Sequence, residues 1–145
     1  MHVSYRPAVA SDRAFIESLY FETQRWIIER LFGWRGDDVE RQKFDAFYNE
    51  LSTRVISLEG EDAGWISVTS GDRDVVIEQI YLLPRVQNKG VGSHIISNII
   101  GEARAAGRRV ALSTAKINPA IRLYERLGFR KYGENEFKIF MEVAR

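Results

Sequence analysis

An α/β fold is predicted for this chain, as one domain over residues 1–145 with about six or seven strands and flanking helices. Three observations lead there. Short runs of β-type composition and longer stretches with apolar residues three and four apart follow one another along the sequence. No repeat, linker or low-complexity segment divides it, and 145 residues are enough to bury a real core. Residues 77–100 join an apolar run, a polar glycine-bearing loop and an amphipathic segment in immediate succession, as where a strand runs into a helix.

The elements can be taken in order. A first strand is expected at residues 2–6, ended by Pro7. Ser11 is the expected N-cap of a helix burying Phe15, Ile16 and Leu19, and a second helical stretch carries Trp26, Ile27 and Leu31. After the break at Gly33 and Gly36, Asp37 opens another helix with Glu40 in capping-box spacing, and Phe44, Phe47 and Leu51 form its inner face. Strands follow at residues 53–58 and 65–69, joined by Glu59-Gly60-Glu61-Asp62, and then at 75–83 after Ser70-Gly71-Asp72. In the next helix Val91, Ile95, Ile96, Ile99, Ile100 and Ala103 make one apolar stripe, which leaves His94 on the polar side. A buried strand at residues 109–115 precedes Asn118-Pro119, an N-cap followed by proline at the first helical position. Ile121, Tyr124 and Leu127 share a face of that helix, and Gly128 stops it. Residues 130–132 and 136–141 suggest a closing hairpin about Gly133 to Asn135.

Composition narrows the chemistry. Lys+Arg of 21 against Asp+Glu of 20 gives no global pull toward nucleic acid or a membrane surface. No window has the apolar length to span a bilayer, and MHVSYRPAVASD lacks a signal-peptide core, so a cytoplasmic location is expected. The absence of cysteine excludes disulfides, thiolate metal sites and a cysteine nucleophile. Two histidines far apart give no metal-ligand spacing, and no metal is expected.

Function is written most densely between the strand at 75–83 and the helix after it. Gln87, Gly90 and Gly92 lie in a short loop at the positive end of that helix, where orphan amides and the macrodipole both favour an anion such as phosphate. The loop lacks the Gly-Lys-Ser/Thr ending of a P-loop, which argues against a nucleoside triphosphate. Counting three residues on from Gly92 reaches Ile95 where a dinucleotide site needs glycine or alanine. An ordinary strand-to-helix turn is the alternative for the loop alone.

The pattern Gln-x-x-Gly-x-Gly, together with NPAIRLYERLGF at residues 118–129, resembles the two acetyl-CoA segments of the Gcn5-related N-acetyltransferase (GNAT) superfamily. The resemblance implies the GNAT fold, a mixed sheet whose central strands splay apart so that the pantetheine arm fills the gap. It implies acetyl-CoA as co-substrate, held by the main chain of Ile80, Tyr81, Leu82 and Leu83, with the Leu82 N–H as oxyanion donor. Gln87, Asn88, Lys89, Gly90, Val91, Gly92 and Ser93 would surround the pyrophosphate, with Lys89 and Arg85 adding charge at the rim. Asn118 would contact the pantetheine, and Tyr124 would sit near the thioester sulfur.

Transfer to an amine needs a neutral amine, a polarised carbonyl and a protonated leaving thiolate. With no cysteine to carry a thioester, direct transfer is expected. Tyr124 is the candidate general acid, since a phenol is protonated at neutral pH; the other reading is a core tyrosine whose hydroxyl bonds backbone. Glu78 interrupts VVIEQIYLL and is the candidate general base, its pKa raised by partial burial; an edge-facing or salt-bridged glutamate is the alternative. Some relatives carry a strand-five glutamate where this chain has Ser113, a departure from the peptide N-terminal enzymes. The acceptor is expected to be a small-molecule or peptide amine. Trp26, Phe32 and Trp34 beside Glu29, Asp37 and Asp38 form a wall suited to a cation, or else core aromatics and helix caps. A homodimer stays open, as do a non-catalytic acyl-CoA sensor and a transferase for longer acyl chains.

Overall fold

The computed structural model describes residues 1–144. Among these, seven strands form one mixed sheet: β1 (Val3–Pro7), β2 (Thr53–Leu58), β3 (Glu61–Ser70), β4 (Asp74–Leu82), β5 (Arg109–Ala115), β6 (Arg130–Glu134) and β7 (Lys138–Val143). Their order is β1-β2-β3-β4-β5-β7-β6, antiparallel throughout except for β4 beside β5. Helices α1 (Arg13–Leu31), α2 (Asp37–Phe47), α3 (Val91–Ala105) and α4 (Ile121–Arg126) flank the sheet.

Strand alternation sorts the core onto two faces. Val55 and Trp65 join Ile16, Leu19 and Phe44 under α1 and α2, while their neighbours Ile56 and Ile66 join Val91 and Ile95 under α3. A third cluster brings Ile96 and Ile100 of α3 and Tyr124 of α4 onto Ile77, Leu112 and Met141.

Several local expectations are corrected. α1 is one helix of 19 residues instead of two stretches, because no glycine or proline interrupts it. Ser11 does not cap it; a short 3₁₀ turn precedes α1, and the Asp12 carboxylate accepts the Val9 N–H at 2.9 Å and the Arg6 guanidinium. The start of α2 slips by one residue: Gly36 (φ 108°) is the cap, and buried Glu40 reaches back to the Arg35 N–H at 3.1 Å. Leu51 is 98% exposed, since α2 ends at Phe47. The last hairpin turns later than expected, because the Asn135 side-chain oxygen accepts from the N–H groups of Phe137 and Lys138. Gly128, at φ 100°, ends α4 as expected, with Phe129 N–H on the Tyr124 carbonyl and Gly128 N–H on that of Glu125.

One feature of the sheet positions the site. β4 and β5 pair only through Asp74↔Arg109, Val75↔Val110 and Val76↔Ala111. Arg109 pins this closed end by ion pairs to Asp74 and Glu142. Beyond it β4 stays on β3 as far as Leu82 and β5 stays on β7 as far as Ala115, so the two central strands part. A bulge lies where they do: Ser67 pairs with Gln79 and Val68 with Ile77, leaving Glu78 as the extra residue. Gly64 lets β3 and β4 approach closely, since a Cβ there would lie 2.1 Å from the Tyr81 carbonyl oxygen.

Candidate functional site

The open end of the gap is made of main chain. Leu83 N–H donates to the Ala63 carbonyl at 2.8 Å. By the alternation of an antiparallel ladder, Tyr81 and Leu83 turn their polar groups to β3, and Ile80 and Leu82 turn theirs to the gap. Gln87 closes the loop from below, its side-chain amide donating to the Leu82 carbonyl at 2.9 Å. Asn88 (φ 59°) and Gly90 (φ 81°) then take left-handed conformations that swing the chain into α3. His94 N–H makes the first helical bond, to Gly90 at 3.0 Å. The amides of Val91, Gly92 and Ser93 before it have no intrahelical partner, no side chain caps them, and the first turn holds no acidic residue.

Gly92 reads differently from Gly90. It sits inside the first turn of α3, where glycine costs roughly 0.5–1 kcal/mol against alanine. An added Cβ would meet only Leu82 Cδ1 at 3.7 Å and Leu123 Cδ2 at 3.8 Å, which is ordinary contact. The protein itself therefore does not demand glycine there. The same distances show that the end of β4, the start of α3 and α4 converge.

Asn118 behaves as an N-cap, its side-chain oxygen accepting the Ala120 N–H at 2.9 Å, although the regular helix begins only at Ile121. Its amide donates to Thr114 Oγ1 at 2.8 Å, which ties α4 to the end of β5. Tyr124 is 9% exposed, with its ring against Phe129 at 5.9 Å. Its hydroxyl bonds no backbone or side chain among the described residues, and burial raises its pKa from the ordinary 10.0.

Glu78 is corrected in one respect. It is exposed and not partly buried, because the bulge turns it out of the core, and Thr69 Oγ1 donates to one of its carboxylate oxygens at 3.0 Å. Arg85 is corrected too: it donates to the Asp62 carbonyl at 3.1 Å and lies 3.8 Å from Glu61, so it faces the β2–β3 turn and leaves Lys89 alone at the rim. His94 is exposed, beside Asn98, as its place on the polar side of α3 suggested.

On the α1/α2 face the expected aromatic wall divides. Trp34 is held inside α1 and α2 by Phe21 at 5.5 Å, by the Arg25 guanidinium at 4.1 Å, and by its own indole N–H to Asp37. Trp26 and Phe32 are exposed (40% and 48%), not core, and Phe32 meets Phe137 edge-on at the tip of the β6–β7 hairpin, 4.7 Å between ring centres. The cavity that adjoins the parting strands lies elsewhere. It has about 220 Å³ and is lined by Tyr48, Trp65, Ser67, Thr69, Glu78 and Gln79 among others. Sequence reading missed this group, because its members are scattered over three strands and the end of α2. The one available signal was Gln79, a second polar residue beside Glu78 in an apolar strand.

Residues 13–129 match the family described as the Acetyltransferase (GNAT) family. An uncharacterised N-acetyltransferase of Methanocaldococcus jannaschii is 25% identical over 117 residues, 79% of this chain and 50% of that relative, so the chain spans half its length. In shape, the chain is similar to PaiA N-acetyltransferase from Thermoplasma acidophilum in complex with coenzyme A, at TM-score 0.77 and 13% identity over 100% of both chains. A GNAT family acetyltransferase from Elizabethkingia anophelis with acetyl-CoA bound aligns over 99% of this chain and 98% of its own, at TM-score 0.65 and 14% identity. At those identities the likeness is one of fold.

Proposed function

Because the chain belongs to the acetyltransferase (GNAT) family, we propose that it moves an acetyl group from acetyl-CoA directly to a primary amine. The observation that carries this reading is the parted pair β4 and β5, opening onto the uncapped, glycine-bearing start of α3. The main chain of Ile80 and the N–H of Leu82 offer a strand-like ligand such as pantetheine the bonds that β5 no longer makes. Three free amides and Lys89 suit a pyrophosphate, at about 1.5–3 kcal/mol for each hydrogen bond to a charged group. Gly92 leaves room for that group to approach.

The roles follow from position. The Leu82 N–H polarises the thioester carbonyl as the amine nitrogen attacks its carbon. Glu78, at the bulge where the gap begins, takes the proton from the amine directly or through water. The carbon–sulfur bond breaks, and Tyr124 gives its proton to the departing thiolate. The net change is one proton moved from amine to thiol. A Tyr124 pKa raised by burial keeps that proton in place at neutral pH. With no cysteine in the chain, no enzyme thioester intervenes.

Tyr124→Phe is the test. General acid catalysis contributes typically 10²–10⁴-fold, so CoA release with an amine acceptor should fall about 100-fold while the Kd for acetyl-CoA stays near the wild-type value. Unchanged turnover removes Tyr124 from the reaction.

A further inference from the structure

The two halves of the parted sheet are tied differently on their two faces. On the α3 face one core spans them, with Ile96 and Ile100 of α3 packed among Ile77 of β4, Leu112 of β5 and Met141 of β7. On the α1/α2 face the core cluster holds Ile16, Leu19, Phe44, Val55 and Trp65, and among the described residues none from β5, β6 or β7 belongs to it. α1 still reaches the far half. A rise of about 1.5 Å per residue carries it roughly 18 Å from Tyr20, which lies edge-on to Tyr81 of β4, to its end at Phe32. There the Phe32 ring meets Phe137 edge-on, 4.7 Å between centres, and neither ring belongs to a core cluster. Both rings are held from behind. The Phe32 N–H donates to the Ile28 carbonyl at 2.9 Å, and left-handed Gly33 stops the helix at once. The Phe137 carbonyl accepts the Lys116 N–H at 2.9 Å, just past the end of β5, and its own N–H is bonded to the Asn135 side chain. Lys116 also pairs with Glu134 at 2.6 Å, which fixes the hairpin to β5.

We propose that Phe32 and Phe137 are positioning residues for the donor: their contact is a clasp that sets the width of the β4–β5 gap at its open end. A strand-like ligand lying between two strands needs them at about twice the ordinary spacing, roughly 9.5 Å. The parallel pairing of β4 with β5 ends at Val76↔Ala111, and Arg109 pins only that closed end. Beyond it β4 runs on to Leu82 and β5 to Ala115 with no ladder between them. The shared core holds the halves on the α3 face, so any hinging opens the α1/α2 face, where the ring pair joins them. A gap that samples other widths binds its ligand more weakly, in proportion to the time it spends at the competent one. An edge-to-face aromatic pair corresponds to roughly two- to tenfold in an equilibrium constant. That is enough to bias the width, and little enough to release when ligands exchange. The rings act through the spacing of the strands and take no part in the transfer itself.

This inference rests on the acetyl-transfer reading for the identity of the donor, and one experiment keeps the two apart. Acetyl-CoA is titrated by calorimetry into the wild-type protein, Phe32→Ala, Phe137→Ala and the double variant. In parallel, hydrogen exchange of the Lys116 N–H is followed by NMR in the wild type and Phe32→Ala. Each single variant should weaken the Kd about fivefold and the double variant no further, because the same contact is lost in all three. In Phe32→Ala the Lys116 amide should exchange at least threefold faster. The chain has no cysteine, so Phe32→Cys combined with Phe137→Cys can be joined by a short bismaleimide. Joining should return the Kd to within twofold of wild type, a recovery that a merely structural loss would not give. Phe32→Leu and Phe137→Leu, which keep apolar bulk but not the ring contact, replace any alanine variant that does not fold. An unchanged Kd in the single variants, additive losses in the double variant, or no recovery on joining overturns the clasp. A wild-type protein that binds no acetyl-CoA, with Lys116 exchange still quickened in Phe32→Ala, keeps the clasp and overturns acetyl-CoA as the ligand it serves. Without that quickening, both fall.

Discussion

On one side of the β4–β5 gap, the loop from Gln87 to Ser93 offers main-chain amides, and its geometry is set by residues that contribute almost no side chain. On the other side, the cavity beside Glu78 is defined by what side chains carry: an indole, a phenol and a carboxylate. The first surface presents main-chain groups of a kind that a strand or a phosphate can bond. The second presents side chains of differing polarity and charge. A backbone site tolerates wide change in side chains so long as its glycines and register persist, whereas a side-chain site changes its preference with a single substitution. Glu78, Gln79, Ile80 and Leu82 show the two regimes along one strand, the first two lining the cavity and the last two turning main chain to the gap.

The sharpest way to break the comparison is to move the strand that both sides share. Gly64→Ala would place its new Cβ 2.1 Å from the Tyr81 carbonyl oxygen. Because backbone must give way and no flexible side chain can, a loss of about 3 kcal/mol is expected, read as a lower urea midpoint, with acetyl-CoA affinity falling alongside. A native midpoint would mean that β3 and β4 are not held as described.

A smaller effect sits on the cavity side. Tyr20, edge-on to Tyr81 at 5.5 Å, has its pKa pushed by burial from 10.0 up to about 12. The fold thus favours the neutral phenol. Its contribution is complete below pH 10 and is lost as pH rises toward 12. Unfolding midpoints measured from pH 9 to 12 should decline across that window, and Tyr20→Phe should flatten part of the decline. An unchanged slope in the variant would place the alkaline loss elsewhere.

The path of the loop from Gln87 to Ser93 was legible in the sequence for the reason that makes it tolerant. Left-handed turns favour glycine or asparagine, so Asn88 and Gly90 mark the loop's path before any contact is known. The ending of α4 was legible in the same way, through Gly128. Side-chain sites leave no such trace. Trp65 and Tyr48 drew no notice in the sequence, because sharing a cavity is a property of neighbours that sequence does not show. Glu78 was located correctly on its strand but not in its burial, since a bulge is a mismatch between two strands and neither one shows it alone. The continuous α1 was misread as two pieces because its apolar spacing drifts, and Leu51 was placed on α2 because nothing before Asn49 marks a helix end.

The most direct measurement is a titration of acetyl-CoA into the wild-type protein and Gly92→Ala, with thermal unfolding of both alongside. If the start of α3 keeps glycine only for a ligand's approach, the added methyl should leave the unfolding free energy within about 0.5 kcal/mol of wild type or slightly above it, as expected for alanine in a helix. The Kd for acetyl-CoA should weaken at least tenfold, about 1.4 kcal/mol. An unchanged Kd in a stable Gly92→Ala protein would contradict the placement of the donor at this loop.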